Sequence, residues 1–188
     1  MATQPNAVEI DGIKFQILLA KGEFTVPRCK FLGSRKPVGI RIINNTPKPF
    51  YFNIHGNPTP EITTMDGEII FGGYWSDWVR ECYTYDFCLA NPGGAITFFP
   101  KCSLWQEEDN QFTFIMQQGY ETGSYWMFKL NALDIYRIRF VYANSLNKIR
   151  AYDLKTQKSK QIENLWTGVA STPFVELRIE QANTNSIF

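Results

Sequence analysis

Few side chains in this 188-residue chain are equipped for bond-making chemistry. A serine or cysteine nucleophile needs a base within hydrogen-bond reach, and the ordinary base is histidine. The chain has one, His55, between Ile54 at the end of an apolar run and Gly56, a context that reads as an edge or surface histidine. The four cysteines, Cys29, Cys82, Cys88 and Cys102, contain no C-x-x-C pair. With one histidine they supply neither a zinc ligand set nor the two histidines and cysteine of a copper site. They are expected as buried free thiols. Cys82 and Cys88 are the pair that the loop from Tyr83 to Phe87 would bring together in an oxidising setting. Glu107-Glu108-Asp109 offers the residue types of glycoside cleavage, but consecutive acids in a polar turn read as solvated charge. Gly72-Gly73 and Gly93-Gly94 precede no helix, so they read as turns rather than phosphate cradles. No catalytic residue, cofactor or metal is therefore expected.

What remains is recognition. The run Tyr74, Trp75, Trp78, Tyr83, Tyr85 and Phe87 is the candidate partner-binding stretch. Exposed Trp and Tyr are the residues that anchor protein interfaces, and Tyr74, Trp75 and Trp78 would equally serve as a stacking platform for a sugar ring. The competing reading folds the same rings over an open end of the domain as accessory core, each contributing roughly 1.5–3 kcal/mol if fully buried. Charge is segregated along the chain. Residues 61–121 carry ten acids against Arg80 and Lys101, whereas residues 137–160 carry seven bases against Asp153. Opposed charged surfaces favour a specific protein partner or self-association. Nucleic acid is not expected, because the basic segment from Lys148 to Lys160 has only Tyr152 among its lysines.

These residues must be positioned by strands. In Leu133-Asp134-Ile135-Tyr136-Arg137-Ile138-Arg139-Phe140-Val141-Tyr142, large apolar residues alternate with Arg137 and Arg139, the two-residue period of a strand with one buried face. Ile13 to Leu19 alternates in the same way, and Phe24 to Val26 is a short extended piece that Pro27 confines to a sheet edge. Val38 to Ile43 and Phe50 to His55 read as a hairpin about the Asn44-Asn45-Thr46-Pro47 turn. Asp66-Gly67 centres a tight turn, and Gly72 to Cys88 fits no period, so it reads as an excursion between strands. Ala95 to Phe99, Phe112 to Met116, Ser124 to Leu130 and Phe174 to Ile179 complete the set. Lys148 to Leu154 is expected extended and Lys155 to Gln161 mobile.

About seven to nine short strands separated by turn signals indicate an all-β chain, a β-sandwich. The composition, 44% hydrophobic and 15% aromatic, excludes a mostly disordered chain, and no apolar run is long enough for a spanning helix. The N-terminus has no basic segment followed by an apolar one, so a cytoplasmic location is expected and no membrane span.

A resemblance refines the architecture. Leu133 to Ile138 resembles the immunoglobulin-like segment in which a tyrosine opens the penultimate strand and its hydroxyl ties back to an upstream carbonyl. Leu165-Trp166-Thr167-Gly168 before a final alternating strand is similar to the ending of uncharacterised bacterial immunoglobulin-like proteins. Phe31-Leu32-Gly33-Ser34-Arg35 and Ile40-Arg41-Ile42-Ile43-Asn44-Asn45-Thr46 resemble a second-strand segment of such proteins, cyanobacterial ones among them. The resemblance covers about half the chain and implies a single immunoglobulin-like antiparallel β-sandwich over residues 1–180. Within it the aperiodic aromatic stretch reads as an insertion over 71–93, and residues 181–188 read as a flexible C-terminal tail. Antibody domains pair two cysteines where Ile42 and Ile138 or their neighbours stand here, so packing alone must join the sheets, as in a reducing compartment.

A weaker similarity, through the Asn-rich turn, the Asp66-Gly67 hairpin and Asn91-Pro92-Gly93, is to intracellular proteinase inhibitors of sandwich fold. It transfers no inhibitory residue. The function expected is a non-catalytic intracellular interaction or accessory domain with a protein partner, possible alternatives being a carbohydrate-binding module and a proteinase inhibitor.

Overall fold

The computed structural model describes residues 6–19, 23–26, 38–76, 81–108, 111–117, 124–131 and 134–181, with the backbone alone at 23–26, 108 and 179–181. Eighteen strands form among the described residues. The first six are β1 Ala7–Ile10, β2 Ile13–Leu19, β3 Glu23–Val26, β4 Val38–Asn44, β5 Phe50–Asn53 and β6 Thr59–Thr64. Next come β7 Ile69–Ile70, β8 Gly73–Ser76, β9 Phe87–Ala90, β10 Ala95–Phe98, β11 Lys101–Glu108 and β12 Gln111–Gln117. The last six are β13 Ser124–Asn131, β14 Ile135–Asn144, β15 Lys148–Asp153, β16 Lys158–Glu163, β17 Gly168–Ser171 and β18 Val175–Gln181. One short 3₁₀ turn, Thr84–Asp86, is the helical content of these residues, and no helix among them is long and apolar enough to cross a membrane.

The chain is all-β, and its strands join into several sheets that are antiparallel except where β3 lies parallel to β18. β14, ten residues long, is central: β6 pairs along one side, while β18 and β17 share the other. Its inward row is Tyr136, Ile138, Phe140 and Tyr142, all at most 3% exposed. The sheet β1-β2-β4-β10 contributes Ile13, Phe15, Ile17, Val38, Ile40 and Ile42 to the same core, and the sheet β11-β12-β13-β8 adds Leu104, Phe112, Phe114, Met116, Phe128 and Leu130. Alternation is what puts every second side chain into this shared interior. At one end four rings interlock, with Phe15 5.0 Å from Trp166, 6.2 Å from Phe52 and 5.6 Å from Tyr142 between ring centres. Burial pushes the Tyr142 phenol above its ordinary pKa, so the hydroxyl stays protonated and accepts a hydrogen bond from the Asn53 N–H at 2.9 Å.

Several expectations change. Phe50 to His55 does not return along β4; β5 pairs with β9, and β4 lies between β2 and β10. The reason lies in Asn44, fully buried, whose Nδ2 donates to the carbonyls of Lys48 and Ala90 while its Oδ1 accepts from Thr46. Those bonds turn the chain out of its sheet instead of back along it. Gly72 to Cys88 is not a bare excursion, since it contains β8, the 3₁₀ turn and the start of β9. Lys158 to Gln161, expected mobile, belongs to β16 and pairs with β15 about a turn in which Asp153 Oδ1 accepts from the Lys155 and Thr156 N–H groups. Gln181, expected to begin a flexible tail, closes β18. Cys29, Phe31 to Arg35, Trp78 and residues 182–188 lie outside the described residues.

Candidate functional site

The aromatic run is divided by the fold. Tyr74 and Trp75 stand on β8, whose four residues pair with β13, so consecutive side chains point to opposite faces of the β11-β12-β13-β8 sheet. Tyr74 lies against Trp126, with ring centres 5.0 Å apart. Trp75, 53% exposed, is on the outer face. Tyr83 and Tyr85 are elsewhere, Tyr83 just before the 3₁₀ turn and Tyr85 within it, beside the β15–β16 hairpin. Trp78 lies outside the described residues. Tyr74 and Trp75 therefore do not share one surface with Tyr83 and Tyr85, and Phe87, at the start of β9, is buried.

The outer face around Trp75 is built by residues that periodicity alone did not single out. Ladder register places Lys101, Gln117, Tyr125 and Trp75 in one row across the four strands, and Ser103, Ile115, Met127 and Gly73 in the next. Trp105, Thr113 and Lys129 form a third row. Between them runs an open groove of about 470 Å³ lined by Lys101, Cys102, Ser103, Trp105, Ile115, Gln117 and Tyr125. Trp105 is 48% exposed, although the sequence suggested only that it precedes an acidic turn. A signal was present in β13, where Tyr125 and Met127 are apolar in the phase opposite to Trp126, Phe128 and Leu130. A strand that is apolar in both phases covers a core with one face and offers the other for contact.

The groups weighed for chemistry are accounted for by their partners. Glu107 accepts hydrogen bonds from Thr113 Oγ1 at 2.6 Å and from Lys129 Nζ. Those donors hold its carboxyl below the usual carboxylate range, which suits an ion-paired surface acid and not a proton donor. The side chains of Glu108 and Asp109 lie outside the described residues. His55 is half-buried just after β5, and its backbone N–H donates to Asn53 Oδ1 at 2.9 Å. Cys88 and Cys102 are free thiols. Burial raises Cys88 and pushes Cys102 up to about 12, far from the thiolate that a nucleophile requires. Among the described residues no three His, Cys, Asp or Glu side chains gather as a metal site would need.

Tyr136 is bonded at its hydroxyl, which also lies 3.3 Å from Asp134 Oδ2. Its hydroxyl accepts from the Asn131 N–H at 2.7 Å and donates toward the Asn131 carbonyl at 3.4 Å, which ties the start of β14 to the end of β13.

Comparison of the chain with protein-family models, with curated proteins and with solved structures returns no match.

Proposed function

We propose that this chain is a non-catalytic, intracellular binding domain on an immunoglobulin-like β-sandwich, and that a protein partner sits on the outer face of the β11-β12-β13-β8 sheet. The observation that carries the reading is the groove beside Trp105, with Trp105 and Trp75 both about half exposed on that face. Interface centres favour Trp, Tyr and Met and are rimmed by polar side chains. Here Ile115, Tyr125 and Met127 stand on the two central strands, β12 and β13, with Lys101 on the edge strand β11 and Lys129 in the row of Trp105. The bond between Tyr136 and Asn131 supports the immunoglobulin-like assignment, as a tyrosine near the start of a strand whose hydroxyl ties back to the chain just upstream. Free thiols at Cys88 and Cys102 fit a reducing compartment.

A carbohydrate reading has one observation in its favour. Tyr125 and Trp75 are register partners on adjacent strands, in a row with the hydrogen-bonding side chains of Gln117 and Lys101. Against it, the aliphatic Ile115 and Met127 give a sugar hydroxyl nothing to bond, whereas they suit an apolar side chain of a protein.

The test uses the full chain as bait in its native lysate, compared with Trp105→Ala and with Leu154→Ala, which removes an exposed apolar residue from the distant β15–β16 turn. Capture of a partner by the wild type and by Leu154→Ala, lost in Trp105→Ala at an unchanged melting temperature, is the expected result. Equal capture by all three removes the protein reading, and glycan binding abolished by Trp75→Ala replaces it with the carbohydrate one.

A further inference from the structure

The β15–β16 hairpin stands apart from the main core on a smaller one, made by Phe87, Ala151, Ile162 and Leu165. Ala151 and Ile162 are inward, so alternation turns Lys148, Arg150 and Tyr152 to the opposite, outer face. Read as sequence, this basic segment lacks the interleaved aromatics of a nucleic-acid surface. The fold supplies them from far along the chain. Tyr83 bridges to Tyr152 in parallel register, the Tyr152 N–H donates to the Cys82 carbonyl at 2.8 Å, and the Tyr83 and Tyr152 ring centres lie 6.4 Å apart. Tyr85 then stacks on Tyr83 at 5.2 Å with planes 8° apart, and is itself 44% exposed.

The platform is held firmly. Asp86, buried, accepts the Tyr83 N–H at 2.8 Å and so fixes the 3₁₀ turn that carries Tyr85. Nearby carboxylates are already engaged: Asp153 caps the hairpin turn, and Glu163 accepts from the Gln161 amide at 2.8 Å. Glu81 is an exposed acid at its border.

We propose that this face binds single-stranded nucleic acid, with phosphates on Lys148 and Arg150 and bases stacked on Tyr85 and Tyr152. Cations in line with aromatic rings are the combination that holds unpaired strands, because each base presents a planar face whatever its identity. A duplex buries those faces between its own base pairs and leaves the tyrosines without a partner. An acidic peptide would satisfy the cations, yet it offers no planar group for three adjacent rings.

Fluorescence anisotropy of the full chain with labelled oligouridylate and oligothymidylate tests this, with inorganic polyphosphate as a competitor that carries charge but no bases. Expected are binding that weakens linearly in log–log plots against salt, and a slope shallower by about 0.7 for each of Lys148→Gln and Arg150→Gln. Tyr85→Ala should weaken binding about tenfold at an unchanged slope. Trp105→Ala, on the other surface, should bind the oligonucleotides as wild type, which separates this site from the protein-binding face. Absence of binding at low salt overturns the proposal. So does undiminished binding by Tyr85→Ala together with equally effective competition by polyphosphate, since charge alone would then account for the attraction.

Discussion

Tyr136 and Ile138 sit two residues apart on the inward row of β14, and both are buried, yet they stabilise the protein in different ways. The Tyr136 ring packs while its hydroxyl joins the backbone at Asn131, so Tyr136→Phe keeps the packing and loses only the tie, a cost of about 1 kcal/mol. Ile138 has no exposed surface and no polar duty; Ile138→Ala leaves a cavity and should cost about 2–5 kcal/mol. Urea titration of the two variants checks both values, and equal, negligible shifts in the midpoint would contradict the placement of β14. Alternation in the sequence already indicated which of these side chains face inward. It carried no sign of Thr172, whose hydroxyl accepts the Phe140 N–H at 3.0 Å inside the fold, because that bond spans 32 residues.

Among the elements, β15–β16 has the thinnest support, four buried residues against the many of the main core. Ile162→Ala removes one of the four, so it should speed amide exchange across 148–163 well before β14 is affected. Exchange mass spectrometry reads this directly, and uniform acceleration over the whole chain would show that the hairpin is not a separate unit. Its strong polarity explains why Lys155 to Gln161 reads as mobile: the pairing of β16 comes from backbone bonds and from one buried side chain, Ile162, rather than from an apolar stripe. β8 was obscured for a different reason. It is only four residues long and opens on Gly73, and just before it Gly72 passes so close to Phe128 that an added Cβ would lie 2.4 Å from its ring, so two successive positions carry no side chain to mark the period.

At the scale of the molecule, residues of all three larger sheets belong to one continuous core, with β14 at its centre. Loss of any sheet exposes the others, so thermal unfolding followed by near-ultraviolet and far-ultraviolet dichroism should give superimposable transitions. Separate midpoints would mean that the β11-β12-β13-β8 sheet unfolds independently. The sequence by itself determined the strand character and inward rows of β2, β4, β12 and β14, because burial on one face of a strand is written as a period of two within a few residues. It also determined that the reactive side chains are scarce. Tertiary structure alone decided that β5 pairs with β9, that Trp105 and Tyr125 share a face with Trp75, and that Tyr83 meets Tyr152. Those contacts join segments 20 to 70 residues apart, and ladder register, which selects the partner and the face, depends on the shape of the whole core rather than on any local pattern.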